Sequence, residues 1–327
     1  MMIKLREILN KEVKMMSDNK EHELKIKEVI HQATAVSFAN RLVKVNGTRH
    51  NIPLDGREIE IVYYKAPSEA SDPAPLIVGF HGGGFIFGGC ALDNIMWTRV
   101  SNVLNVNIAS IGYRQSPDHM WRDCLDDCYD SLVYLASHSE EFGFDPEHIS
   151  VMGQSAGGNL AAAVTLKNNE TQAVKLDNQI LVYPLLDMFT DPDEKGEGSF
   201  AGEITHIMNE LHIKQEESND PFASPAFATE QMVLGSPKTI IIYCELDNLR
   251  HEAISYAAKL RNAGVNVSDM IAKDMPHGFF ETGFKDRITD MEFEFLGATG
   301  REIYESGLLR KRSEEALNFI RSEFVLQ

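Results

Sequence analysis

His148-Ile149-Ser150-Val151-Met152-Gly153-Gln154-Ser155-Ala156-Gly157-Gly158-Asn159-Leu160 carries an apolar run into a serine set between glycines, then into small residues. The pattern predicts a strand over 148–152 and a helix from Ala156 to about Leu166. A G-x-S-x-G triplet arises by chance about 0.1 times in a chain of this length at average glycine usage, so its place matters more than its letters. At the junction of strand and helix, Gly153 and Gly157 allow a tight, strained turn that projects the Ser155 hydroxyl from the sheet edge. The helix that follows aims its first N–H groups at any negative charge developing nearby. The bland alternative is a strand-to-helix turn with a serine cap.

The texture on both sides repeats this alternation. Short apolar or β-branched runs at 59–64, 76–80, 106–111, 179–183, 239–243 and 267–271 predict strands. Helical patterns occupy 93–104, 121–137, 252–262 and about 300–324, and 68–75 reads as a turn. Strands alternating with helices mean an α/β protein whose mostly parallel sheet is flanked by helices. Two regions depart from the rhythm. Residues 1 to about 50 look helical and amphipathic in two stretches, the first through Ile3, Leu5, Ile8, Leu9, Val13 and Met16, the second near 24–38. Residues 187–225 form a long insertion in which Phe200, Ile204, Ile207, Met208, Leu211 and Ile213 recur at near-helical spacing, which favours a lid over a structureless loop.

A serine hydroxyl needs a base to become a nucleophile. Of 11 histidines, His277 in His277-Gly278-Phe279 follows the late strand at 267–271 by a short loop, which brings it to the same sheet edge as Ser155. The carboxylate that would orient it is read as Asp247, just beyond the strand at 239–243, with Asp187 and Glu245 as rivals. His81-Gly82-Gly83-Gly84-Phe85 follows the buried strand at 76–80. Such a loop can present the N–H groups of Gly83 and Gly84 unobstructed, beside that of Ala156, to an oxyanion. A phosphate cradle is disfavoured, since no G-x-x-x-x-G-K-[ST] pattern occurs.

Taken together, His81 to Gly84, the Ser155 elbow, Asp247 in Asp-Asn-Leu-Arg and His277 in His-Gly-Phe resemble the hormone-sensitive-lipase-like branch of α/β-hydrolase esterases. Tyr113-Arg114-Gln115-Ser116-Pro117-Asp118-His119, similar to the family's YRLAPEH stretch, and Ser224-Pro225 extend the likeness over about 75–280. The order Ser155, Asp247, His277 is that of α/β hydrolases. The resemblance implies one α/β-hydrolase domain over 1–327 with a small helical lid built from about 1–50 and 187–225. It implies a carboxylic-ester hydrolase with a Ser155–His277–Asp247 triad, a covalent acyl-enzyme and no cofactor. Short-chain, including acetyl, esters are the expected small-molecule substrates. An amidase or formamidase using the same triad, or a ligand-binding member without turnover, are the alternatives. Three positions depart from the family: Gln154 replaces the usual acidic residue, and Gln115-Ser116 replaces Leu-Ala. Residues 281–300 have no evident counterpart and either extend the lid or support an oligomer.

Composition bounds the rest. The 327 residues carry 31 Lys+Arg against 49 Asp+Glu, a formal charge of −18, which argues against nucleic acid or anionic membrane as a partner. With 43% hydrophobic and 24% charged residues, the chain can fill a large core without disulfides or metals. Cys90, Cys124, Cys128 and Cys244 suggest no disulfide framework. Cys124 and Cys128 could hold half a metal site but have no matching pair, and His251-Glu252 lacks the second histidine of a zincin, so no metal is expected. Without an uninterrupted apolar leader or a membrane-length segment, the three glycosylation sequons read as chance and the expected location is cytoplasmic. Homo-oligomerisation is left open.

Overall fold

The computed structural model describes residues 2–67, 73–196, 198, 202–297 and 299–326, without the side chains of 2–19, 203, 291, 294 and 295. The expected turn at 68–75 lies partly outside the described residues, as do Phe200 and the apolar face through Ile3 to Met16.

Eight strands form one sheet: β1 (Thr48–Leu54), β2 (Arg57–Tyr64), β3 (Ala74–Phe80), β4 (Asn107–Gly112), β5 (Phe144–Gln154), β6 (Leu176–Val182), β7 (Lys238–Cys244) and β8 (Val267–Ala272). Their order is β1-β2-β4-β3-β5-β6-β7-β8. The β1–β2 and β2–β4 pairs are antiparallel and every pair from β4–β3 to β7–β8 is parallel. The helices are α1 (Met2–Leu42), α2 (Asn94–Leu104), α3 (Trp121–Ser137), α4 (Ser139–Phe142), α5 (Ala156–Thr171), α6 (Glu203–His212), α7 (Glu230–Val233), α8 (Arg250–Asn262), α9 (Phe279–Gly283), α10 (Asp290–Phe295), α11 (Gly300–Glu305) and α12 (Leu308–Glu323).

Strand alternation divides the core between two faces. On one face Leu76, Val78, Phe80, Val151, Leu181 and Ile241 pack with residues of α3, α5 and α8. On the other, Ile77, Ile108, Met152, Ile180 and Ile242 pack with α2, α9 and α12. Each such side chain contributes on the order of 2 kcal/mol on burial, which is why these strands read as continuous apolar runs. In this arrangement the carboxyl ends of β3, β5, β7 and β8 open on a single edge, where ligands gather in parallel α/β sheets.

Two sequence expectations change. The N-terminal region is one helix, α1, rather than two stretches, and it is followed within the expected 1–50 segment by the unforeseen strand β1. The helix expected over 300–324 is broken at Ser306-Gly307, where Gly307 takes φ 76°, into α11 and α12. Cys124 and Cys128 are both buried in α3, and the Cys124 thiol donates to the Arg114 carbonyl.

Candidate active site

β5 ends at Gln154 and α5 begins at Ala156, leaving Ser155 alone in the turn at φ 55° and ψ −120°. The turn is clamped by the backbone: Ser155 N donates to the Val182 carbonyl at 2.9 Å, and the Ser155 carbonyl accepts from Asn159 N at 3.1 Å and Leu185 N at 3.2 Å. Only glycine fits on either side. A Cβ at Gly153 would collide with the Gly157 carbonyl, and one at Gly157 with the Phe80 carbonyl.

His277 reaches Ser155 from the loop after β8. Its Nε2 stands 2.8 Å from Ser155 Oγ, and its Nδ1 stands 2.6 Å from Asp247 Oδ2 in the loop after β7. The carboxylate can only accept, so Nδ1 carries the proton and Nε2 is left as acceptor for the serine hydroxyl. Asp247 is fully buried, and its Oδ1 also accepts from Leu249 N at 3.1 Å. Burial pushes the His277 imidazole down, but the adjacent Asp247 charge and hydrogen bond outweigh it and raise its pKa above 6.5. The rival carboxylates are engaged elsewhere. Asp187 accepts from Phe189 N, Thr190 N and Thr190 Oγ1, and Glu245 accepts from Asp274 N.

The glycine loop after β3 lies on the same cavity wall. Gly82, Gly83 and Gly84 line it together with Ser155 and His277. Gly83 takes φ 109° and Gly84 φ 60°, and the Gly83 carbonyl turns back to accept from Phe87 N at 2.8 Å. Ala156 is the first residue of α5, so its N–H has no carbonyl one turn earlier within the helix. His81 supports the loop from behind: it stacks on Tyr113 at 4.2 Å, and Tyr113 OH donates to the His81 carbonyl. Burial drives the His81 imidazole down to about 4, so it stands there neutral.

The three departures from the family pattern all make specific contacts. Gln154 Nε2 donates to Asp93 Oδ2 at 2.7 Å, a bond that a carboxylate at 154 would turn into repulsion. Gln115 Nε2 donates to the Phe87 carbonyl at 2.6 Å, bracing the glycine loop. Ser116 Oγ donates to the His119 carbonyl and accepts from His212 Nδ1, which ties in the end of α6.

The cavity measures about 330 Å³, with apolar walls from Phe87, Leu92, Met208, Leu296 and, on α1, Val36 and Ala39. Its remaining wall comes from the segment after His277: Glu281, Lys285 and Glu292 face the cavity, with Asp93 beside them. Tyr183, with its ring 4.9 Å from that of His277, donates its hydroxyl to Glu281. Sequence reasoning missed Asp93, Tyr183, Glu281 and Lys285, because no local motif marks them.

A hydroxyl, an imidazole and a carboxylate in hydrogen-bonded series at the open edge of this sheet define the class of esterase-type α/β hydrolases. Comparison with known proteins agrees. A family model described as the alpha/beta hydrolase fold matches residues 77–281, and the chain belongs to that family. Among its relatives is an arylacetamide deacetylase of Oryctolagus cuniculus, 29% identical over 287 residues, covering 66% of this chain and 72% of that protein. An arylesterase of Saccharolobus solfataricus is 27% identical over 260 residues, covering 77% of this chain and 82% of that protein. A thermostable carboxylesterase cloned from a metagenomic library has a solved structure that superposes with a TM-score of 0.72. It is 26% identical and covers 93% of this chain and 98% of that one. Among the described residues, no helix is long and apolar enough to cross a membrane.

Proposed function

We propose that the chain hydrolyses short-chain carboxylic esters, acetyl esters among them, through a covalent acyl-enzyme on Ser155. His277 Nε2 takes the proton as Ser155 Oγ bonds to the carbonyl carbon, and Asp247 stabilises the imidazolium that forms. The N–H groups of Gly83, Gly84 and Ala156 hold the oxyanion, each donor worth about 3 kcal/mol in comparable sites. As the intermediate collapses, the C–O bond to the alcohol breaks and His277 returns the proton to the leaving oxygen. A water deprotonated by His277 then attacks the acyl carbonyl, releasing the acid and restoring Ser155. The whole chain acts as one catalytic domain, with α1 and the 187–225 segment, which contains α6, as a lid over the cavity.

The observation that carries this reading is the continuous series from Ser155 Oγ through His277 to Asp247, with spacings of 2.8 and 2.6 Å. The cavity of about 330 Å³, lined by Met208 and Leu296, favours short acyl groups over long ones. The test is turnover of p-nitrophenyl acetate, butyrate and decanoate, with a fluorophosphonate probe mapped by mass shift. The probe is expected on Ser155, rates are expected to fall from acetate or butyrate to decanoate, and Ser155→Ala is expected to reduce turnover to background. Labelling elsewhere, or turnover that survives Ser155→Ala, overturns it. The kinship with an arylacetamide deacetylase favours a second reading, cleavage of acetylated aryl amides by the same steps. An aryl acetamide turned over faster than the matching ester would support that one.

A further inference from the structure

The cavity beside Ser155 is electrically lopsided. Three carboxylates, Asp93, Glu281 and Glu292, face it together with a single ammonium, Lys285. That ammonium is already committed: Lys285 Nζ stands 2.8 Å from Glu292 Oε1 and 3.9 Å from Asp93 Oδ1. Asp93 has a further donor in Gln154, whereas Glu281 accepts the neutral hydroxyl of Tyr183 and its own backbone N–H, and no Lys or Arg among the described residues lies within ion-pair distance of it, so that Lys285 acts on it only from further off. A half-buried carboxylate whose nearest ammonium is held by two other carboxylates is costly. Here the cost is visible as a pKa pushed up to about 7, by burial first and by the charge of Asp93 second. A cation entering the cavity would remove it.

Resting on the esterase reading, we propose that this cavity selects short acyl esters that carry an ammonium group, with Glu281 as the counter-charge and Asp93 and Glu292 setting the sign of the field. Phe87 and Leu92 suit the hydrocarbon part of such a substrate, and a substrate carboxylate is disfavoured, because it would hold Glu281 protonated where an ammonium holds it ionised. Lys285 cannot invert the preference while Glu292 and Asp93 hold it. Gln154 fits this arrangement, because it donates to Asp93 without adding a fourth negative charge at the nucleophile's shoulder.

The test compares two esters of the same shape, acetylcholine and 3,3-dimethylbutyl acetate, in which a quaternary carbon replaces the ammonium nitrogen. The full-length enzyme is expected to show a kcat/KM ratio of about ten or more in favour of acetylcholine at low salt, shrinking as salt is added. Glu281→Gln should bring the ratio toward one, and Glu292→Gln, which frees the Lys285 ammonium, should lower it as well. Because the readout is a ratio within each variant, a general loss of catalysis or of folded enzyme does not move it. A wild-type ratio at or below one overturns the proposal, as does a high ratio unchanged in both variants. If p-nitrophenyl acetate is turned over and acetylcholine is not, the cation preference falls while the esterase reading stands. If no ester is turned over, both fall.

Discussion

Ser155 at φ 55° occupies backbone space that costs a non-glycine residue about 1–3 kcal/mol, and the surrounding hydrogen bonds to Val182, Asn159 and Leu185 hold it there. That strain has a use on the proposed mechanism, since it keeps the hydroxyl facing His277 rather than capping α5. The pH dependence follows from the same contact. Burial disfavours the imidazolium of His277, yet Asp247 favours it more, and the net shift is upward from 6.5. A raised pKa means that the base is protonated, and therefore inactive, up to a higher pH. The acid limb of a kcat/KM–pH profile on p-nitrophenyl acetate is accordingly expected to have its midpoint above 6.5. Asp247→Asn should lower kcat by about 10⁴-fold through loss of the productive tautomer, and should move that limb to lower pH. A limb below 6.5 in the native enzyme would contradict the assignment. Ser155, Asp247 and His277 were legible in the sequence because each sits in a short motif next to a strand end. Asp93, Glu281 and Tyr183 were not, because their chemistry comes from being brought together by three distant segments, which no local pattern records.

The elements were legible in proportion to how they are buried. The strands β3 to β7, covered on both faces, were recognisable as apolar runs. β1 was not, because it is an edge strand whose residues are mostly exposed or half-buried, so neither alternation nor a continuous run marks it. α6 was recognisable from its apolar spacing, but not how it is anchored. Its last residue, His212, is 3% exposed, stacks on Phe85 at 3.8 Å, and donates through Nδ1 to Ser116. Burial pushes this imidazole down to about 3, so the folded state resists protonating it while the unfolded chain takes a proton near 6.5. The stability that His212 contributes is therefore present above about 6.5 and is lost as pH falls toward 3. His212→Phe keeps the ring stack and removes the titration. In chemical denaturation from pH 7 to 5, the stability advantage of the native chain over this variant should shrink by about 1.4 kcal/mol per pH unit below 6.5. A pH-independent difference would mean that α6 opens readily enough for His212 to be protonated in the folded state.

At the scale of the whole molecule, the sheet with its two apolar faces is distinct from the pieces proposed as a lid. The surplus of 49 acidic over 31 basic residues, an unremarkable surface property in the sequence, reaches into that cavity as Asp93, Glu281 and Glu292. α1 is the clearest case of a piece peripheral to the sheet. Over its described side chains only Val29 and Asn40 are buried, whereas Leu24, Phe38 and Leu42 are 65%, 63% and 70% exposed. Its firmest tethers are Asn40 Oδ1, which accepts from Ala91 N at 2.8 Å, and the Asn40 carbonyl, which accepts from Arg49 at 2.6 Å. At its other described end His22 meets Glu210 of α6 at 2.8 Å on the surface. Losing these contacts costs about 3 kcal/mol, a few degrees in Tm for a domain of this size. Val36 and Ala39, however, form cavity wall, with Val36 also packed against the edge of the core. A chain starting at residue 46 is therefore expected to fold and to retain its series of Ser155, His277 and Asp247. It should turn over p-nitrophenyl acetate with kcat within about twofold of the full chain and KM raised about tenfold, since what is lost is binding surface shared by ground and transition states. Steady-state kinetics with a thermal melt separates the outcomes. An unchanged KM would remove α1 from the substrate wall, and a chain that no longer melts cooperatively would make α1 part of the core that folds the sheet.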